Sequence, residues 1–238
     1  MKIIDATKDI LTSYENGQFN IEKWKAYIGS MLPDVKDICL RDMAESISAG
    51  LSWEDGYLPV LNSVFDNTEK ISKIIKSFSK VTENLNERVY EKFGKSLDAD
   101  IILYLGLCNG AGWVTKVSGK TTVLLGIEKI IELDWCDIDD MNGLILHELG
   151  HVYQAQYGVL NRQLASSRDQ FLWQLFTEGI AMVFEQGNCR RSRLLPPGQS
   201  GMEKLVLPKF SAYSAILYQR SRYHDKRRST LFRRLGQL

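Results

Sequence analysis

A chain of 238 residues with 44% hydrophobic and 25% charged side chains has ordinary globular composition, which argues against a disordered, collagen-like or coiled-coil protein and easily supports a core. Thirty basic against 29 acidic residues leave a net charge of +1, so no global field directs the chain to nucleic acid or to a membrane surface. No apolar run approaches the roughly 18 residues of a membrane span, and Lys2, Asp5, Lys8 and Asp9 interrupt the start, so neither a span nor a secretory signal is expected.

Residues 1–95 read as a helical N-terminal region. Asn20 can cap a helix that gathers Ile21, Trp24, Tyr27 and Ile28 on one face. Asp34 can cap the next, through Val35, Ile38, Met43 and Ile47, until Gly50. A third pattern, broken or continuous, runs from Leu58 to about Phe93 with Leu61, Val64, Ile71, Ile75, Phe78, Val81 and Leu85. These faces read as packing surface covering something else, not as a place of chemistry.

The texture changes near Leu97, where a core of residues 96–187 begins. Asp100 to Leu107 reads as a buried strand by length and β-branching, and Asn109-Gly110-Ala111-Gly112 as a turn. Strands over Trp113–Val117 and Thr121–Leu125 flank Ser118-Gly119-Lys120, a hairpin turn. Asp139 or Asp140 offers an N-cap for a helix from about Met141 to Tyr157, and a second helix runs from about Ser167 to Gln186. The expected fold class is therefore α+β. Cys39, Cys108, Cys136 and Cys189 show no paired spacing and read as free thiols of a reducing, cytoplasmic compartment.

His147-Glu148-Leu149-Gly150-His151 falls inside the first of these helices. Histidines at i and i+4 project from one face, one turn apart, so both imidazoles can reach a single Zn²⁺. Glu148 is rotated about 100° from His147 by helix geometry. It can miss the ion yet reach a water on it as general base. Shuffling this composition produces the pattern on the order of 10⁻³ times, so surroundings must decide its meaning.

A catalytic zinc site usually has three protein ligands and one open position. Glu178, among apolar residues on the second helix, is the candidate third ligand, and small Gly179 and Ala181 would let that helix approach the first. Glu185, seven residues on, is the reserve ligand or a supporting partner. His224 is the one other histidine, and basic neighbours Arg220, Arg222, Lys226 and Arg227 make it a poor zinc ligand.

His-Glu-Leu-Gly-His after a strand-rich stretch, then Thr177-Glu178-Gly179-Ile180-Ala181 on the next helix, resembles the gluzincin zinc metallopeptidases with their thermolysin-like zincin core. The likeness is nearer still to small bacterial cytosolic proteins regarded as zinc-dependent proteases. It covers residues 1 to about 187, including Trp24 and the run Leu105 to Trp113. The resemblance implies a zincin-like fold with a small mixed sheet and two zinc-bearing helices, His147, His151 and Glu178 as metal ligands, and Glu148 as catalytic carboxylate. It also implies that the strand around Thr121–Gly126 is the sheet edge to which a peptide or protein substrate adds. Gluzincins commonly supply an oxyanion-stabilising Tyr, His or Arg downstream of the third ligand, and here that downstream chain does not look like the family. Tyr153, Tyr157, Tyr223 and His224 are the candidates at hand.

Residues 188–238 form a basic tail of different character. From Cys189 onward twelve basic residues face Glu203 and Asp225, a net of +10, while residues 1–188 carry 18 basic and 27 acidic residues, a net of −9. Three readings stay open: the remainder of the domain with a solvated basic surface, a nucleic-acid-binding tail (which lacks any recognised module), or a segment encoded out of frame. Arg193 to Lys204 can be written in codons that read, one base later, as Asp-Tyr-Tyr-His-Gln-Asp-Lys-Val-Gly-Trp-Lys, which looks more like the family's continuation. The expected function is hydrolysis of a peptide bond by a zinc-activated water. A zinc-binding protein without catalysis is the alternative.

Overall fold

The computed structural model describes residues 1–159, 163–164 and 166–188. The readings that fall on the basic tail, on Tyr223 and on His224 lie outside the described residues. Strand β1 (Ile3–Asp5) leads through a 3-10 turn to a small ribbon, β2 (Tyr14–Glu15) and β3 (Gln18–Phe19). Helices α1 (Ile21–Met31), α2 (Pro33–Ser48), α3 (Leu58–Asp66), α4 (Thr68–Thr82) and α5 (Leu85–Phe93) follow. Next come β4 (Asp100–Tyr104), β5 (Gly112–Val117), β6 (Lys120–Gly126), α6 (Ile127–Glu132), α7 (Ile138–Tyr157) and α8 (Ser167–Asn188). The chain is α+β.

The helix starts show how local chemistry sets the frame. The Asn20 side chain accepts from the backbone N–H groups of Glu22 and Lys23 and so caps α1 as expected. Asp34 does not cap α2. Leu32 takes the cap position and Pro33 the first turn, where the missing proline N–H costs nothing, and Asp34 lies inside that turn. The long pattern after Leu58 is broken twice, at Asn67 and at Asn84, whose left-handed φ of 53° turns the chain between α4 and α5. For α7 the cap is Asp137, which accepts from Asp140 N at 2.9 Å; Asp139 and Asp140 sit in the first turn.

The main sheet has the order β1-β4-β6-β5. β1, β4 and β6 run parallel, and β5 returns antiparallel to β6 with Trp113 opposite Leu124. Ser118 and Gly119 make the connecting turn with φ of 50° and 80°, the two positive values that a tight hairpin of this hand requires. Two expectations are corrected by this topology. Residues 1–95 are not all helical, because Ile3 pairs with Ile101 and draws β1 into the sheet. Thr121–Gly126 is not the sheet edge, because β6 is paired on both sides; the outer strand is β5, paired on one side only among the described residues.

One apolar cluster joins the N-terminal helices to the sheet and to α7. Trp24 of α1 is fully buried, and its indole N–H donates to the Leu105 carbonyl at 2.8 Å. Removing such a ring from water is worth on the order of 5 kcal/mol, for about 200 Å² at about 25 cal/mol/Å². α7 lies against α8, α4, β5 and β6 and is buried through most of its length, so the helix that carries His147 and His151 has little freedom to shift. Among the described residues no helix is long and apolar enough to cross a membrane. Cys39, Cys108 and Cys136 are free thiols.

Candidate metal centre

The helical period of α7 puts His147 and His151 on one face, with ring centroids 5.0 Å apart and planes at 83°. α8 crosses that face and brings Glu178 between them. Glu178 Oε2 lies 3.2 Å from His147 Nε2 and 3.7 Å from His151 Nε2. One donor atom from each of the three residues lies within 4.8 Å of the others, a group positioned to bind a metal ion. Donors about 2.0–2.1 Å from a tetrahedral ion stand about 3.3 Å apart, which the spacing from His147 matches and the spacing from His151 exceeds slightly. The three residues singled out in the sequence thus come together.

Close approach of the two helices depends on a glycine that the sequence did not single out for this purpose. A Cβ at Gly150 would stand 2.7 Å from Ala181 Cα and 3.0 Å from Phe184 Cβ. Ala181 therefore contributes the small surface expected of it, but its partner is Gly150. Gly179 has nothing within 4 Å of its Cβ position and contributes no close contact. Phe184 stacks on Phe93 at 3.6 Å and anchors α8 against α5.

Electrostatics reinforce the geometry. Burial opposes charge on His147, but the Glu178 and Glu185 carboxylates outweigh it and push the imidazole up to about 10. Burial likewise opposes charge on Glu178, and the two imidazoles overcome it, holding the carboxyl well below the usual carboxylate range. Glu185 Oε2 stands 3.7 Å from His147 Nδ1, the nitrogen on the far side of the ring, which places Glu185 beside that imidazole and outside the group of three donors. Its room comes from Gly143, whose Cβ position is 3.2 Å from Glu185 Oε1. The Nδ1 of His151 is buried with no hydrogen-bond partner among the described residues.

Glu148 is buried on the side of α7 that faces the sheet, near enough to His147 to favour charge on that imidazole. A Cβ at Gly112 would lie 2.8 Å from both Glu148 Cγ and Oε1, and 2.9 Å from Leu144 Cδ1. Only a glycine at the first residue of β5 leaves the carboxylate its place beside the outer strand. The signal was present in the sequence, since a glycine opening a strand marks close backbone approach. Tyr153 and Tyr157 are engaged elsewhere: Tyr153 packs against Phe93 and Phe184, and the Tyr157 hydroxyl donates to the Ser96 carbonyl at 2.6 Å. Comparison with family models, curated proteins and solved structures finds no match for this chain.

Proposed function

We propose that the chain is a zinc-dependent peptide hydrolase of gluzincin type, built on a zincin-like arrangement. The observation that carries the reading is the convergence of His147, His151 and Glu178 from two helices, with Glu148 held beside the outer strand. Two imidazoles and one carboxylate are the donor set of catalytic zinc sites that leave a fourth position open. When bound, zinc supplies Lewis acidity that polarises a carbonyl and acidifies water. Glu148 takes the proton of the attacking water at its carboxylate and passes it to the nitrogen of the leaving amine. Among the described residues β5 is paired on one side only, and its other side would hold an extended peptide largely independently of its side chains.

Replacing Glu148 by Gln tests the assignment. The variant is expected to keep stoichiometric zinc and to hydrolyse fluorescein-labelled casein about 10²–10⁴-fold more slowly, the usual share of a general base. Undiminished hydrolysis would remove Glu148 from this role. The engagement of Tyr153 and Tyr157 away from the donors favours a second reading, a zinc-binding protein without catalysis. In that case zinc is bound and casein is untouched in both the wild type and Glu148→Gln.

A further inference from the structure

Glu128, at the start of α6, is a fully buried carboxylate outside the metal centre. Its Oε2 accepts from Gly106 N at 2.8 Å and its Oε1 from Cys108 N at 3.0 Å. Two glycines leave the slot it fills. A Cβ at Gly106 would stand 2.5 Å from Glu128 Oε1, and one at Gly126 would stand 2.8 Å from the same atom. The clamped chain is one that needs holding, because Cys108 has a left-handed φ of 56°, which a residue with a Cβ rarely adopts.

The rest of that loop is fixed as closely. Leu105 O accepts from Trp24, Leu107 N donates to Asn109 Oδ1, and Asn109 Nδ2 donates to Asp42 Oδ2 at 2.7 Å. Ala111 O accepts from Gly126 N at 3.1 Å, and the next residue is Gly112, against which Glu148 lies. The loop therefore decides where the outer strand begins relative to the catalytic carboxylate.

Stability alone does not account for an acid in this place. Burial pushes the Glu128 carboxyl up to about 7, against the backbone N–H groups of Glu128 itself, Gly106 and Cys108 and the nearby Lys129. The other titratable groups facing it are Tyr104 of β4, Cys39 of α2, Cys108 of the loop and Tyr14 of β2, and none of these carries positive charge. The fold works against the charge it encloses, whereas the two backbone donors each meet one of the two oxygens of a carboxyl fork, which an amide side chain does not present.

We infer that Glu128 is a positioning residue for the peptide-binding edge: by clamping the backbone of residues 106 and 108 it sets the start of β5 beside Glu148. The inference rests on the hydrolase reading above. It is tested on the full chain with Glu128→Gln and, as a second route to the same lesion, Gly106→Ala. Amide exchange followed by mass spectrometry reads segments 105–117 and 141–157, and casein hydrolysis is measured over a concentration series. Exchange in 105–117 is expected to accelerate at least about tenfold in both variants, while 141–157 and the zinc content stay as in the wild type. KM is expected to rise about tenfold with kcat within about twofold, a split that loss of stability alone would not produce. Unchanged exchange in 105–117, equal loss in 141–157, or a fall in kcat at constant KM would overturn it. A zinc-loaded wild type that cleaves no casein removes the hydrolase reading, and the exchange result then upholds or overturns the clamp by itself.

Discussion

Replacing Gly150 by Ala probes the joint between α7 and α8, the two helices that carry His147, His151 and Glu178. The added Cβ would lie 2.7 Å from Ala181 Cα and 3.0 Å from Phe184 Cβ. Carbon atoms settle at about 3.5–4.0 Å, so α8 must withdraw from α7 by about 1 Å. Alanine improves helix propensity by about 1 kcal/mol, and overpacking costs about 1–3 kcal/mol, so the net loss of stability is about 0–2 kcal/mol. The metal centre suffers more, because Glu178 rides on α8 and now stands 3.2 Å and 3.7 Å from the two imidazole nitrogens. Withdrawing one of three ligands by that distance is expected to weaken zinc binding at least 10–100-fold, the range already seen when only a supporting partner is lost. Competition against a chromophoric chelator measures the affinity, and denaturation in EDTA separates the fold's share from the metal's. Zinc affinity within about twofold of wild type, together with a higher Tm in EDTA, would refute the reasoning.

Gly112→Val carries a larger side chain into the space of Glu148 Cγ and Leu144 Cδ1, 2.8 Å and 2.9 Å from the Cβ position. It should keep zinc and lose casein hydrolysis by about 10²-fold or more, and loss of metal with activity retained would contradict the placement of Glu148. Glu185→Gln is expected to weaken zinc binding about tenfold in the chelator assay, and an unchanged affinity would remove Glu185 as the partner of His147. Glu128 makes stability pH-dependent in a defined direction. Its carboxyl is raised from 4.5 to about 7 in the fold, so its contribution is fully present below about 4.5 and is lost as pH rises through 7. The wild type should lose about 3 kcal/mol relative to Glu128→Gln between pH 4.5 and 8 in denaturant titrations. A relative gain over that range would contradict the burial argument.

The grouping of His147, His151 and Glu178 was legible because the helical period alone places residues at i and i+4 on one face, and because Glu178 is a lone acid in an apolar stretch of the next helix. The amphipathic helices and the hairpin at Ser118-Gly119 were legible for the same local reasons. β1 was not, since Ile3-Ile4-Asp5 is too short to show alternation and owes its conformation to pairing with Ile101 and its neighbours. Nor was strand order. Nothing in Thr121–Gly126 reveals that β4 and β5 both claim it, so the outer strand was placed one position too far inward. Glu128 sits in Gly126-Ile127-Glu128-Lys129-Ile130-Ile131, where an acid beside a lysine reads as surface. Its burial follows from the loop that folds over it, 22 residues upstream at Gly106. The glycines at 112 and 150 carried a recognisable signal, but the partner each makes room for is set by tertiary packing.

The central claim is that one divalent ion is gripped by His147, His151 and Glu178. Metal analysis of the purified full chain beside its His147→Ala variant tests it most directly. Close to one zinc per chain in the wild type, falling to a small fraction in the variant, is the expected result. Another metal at full stoichiometry, or equal zinc in both proteins, would contradict it.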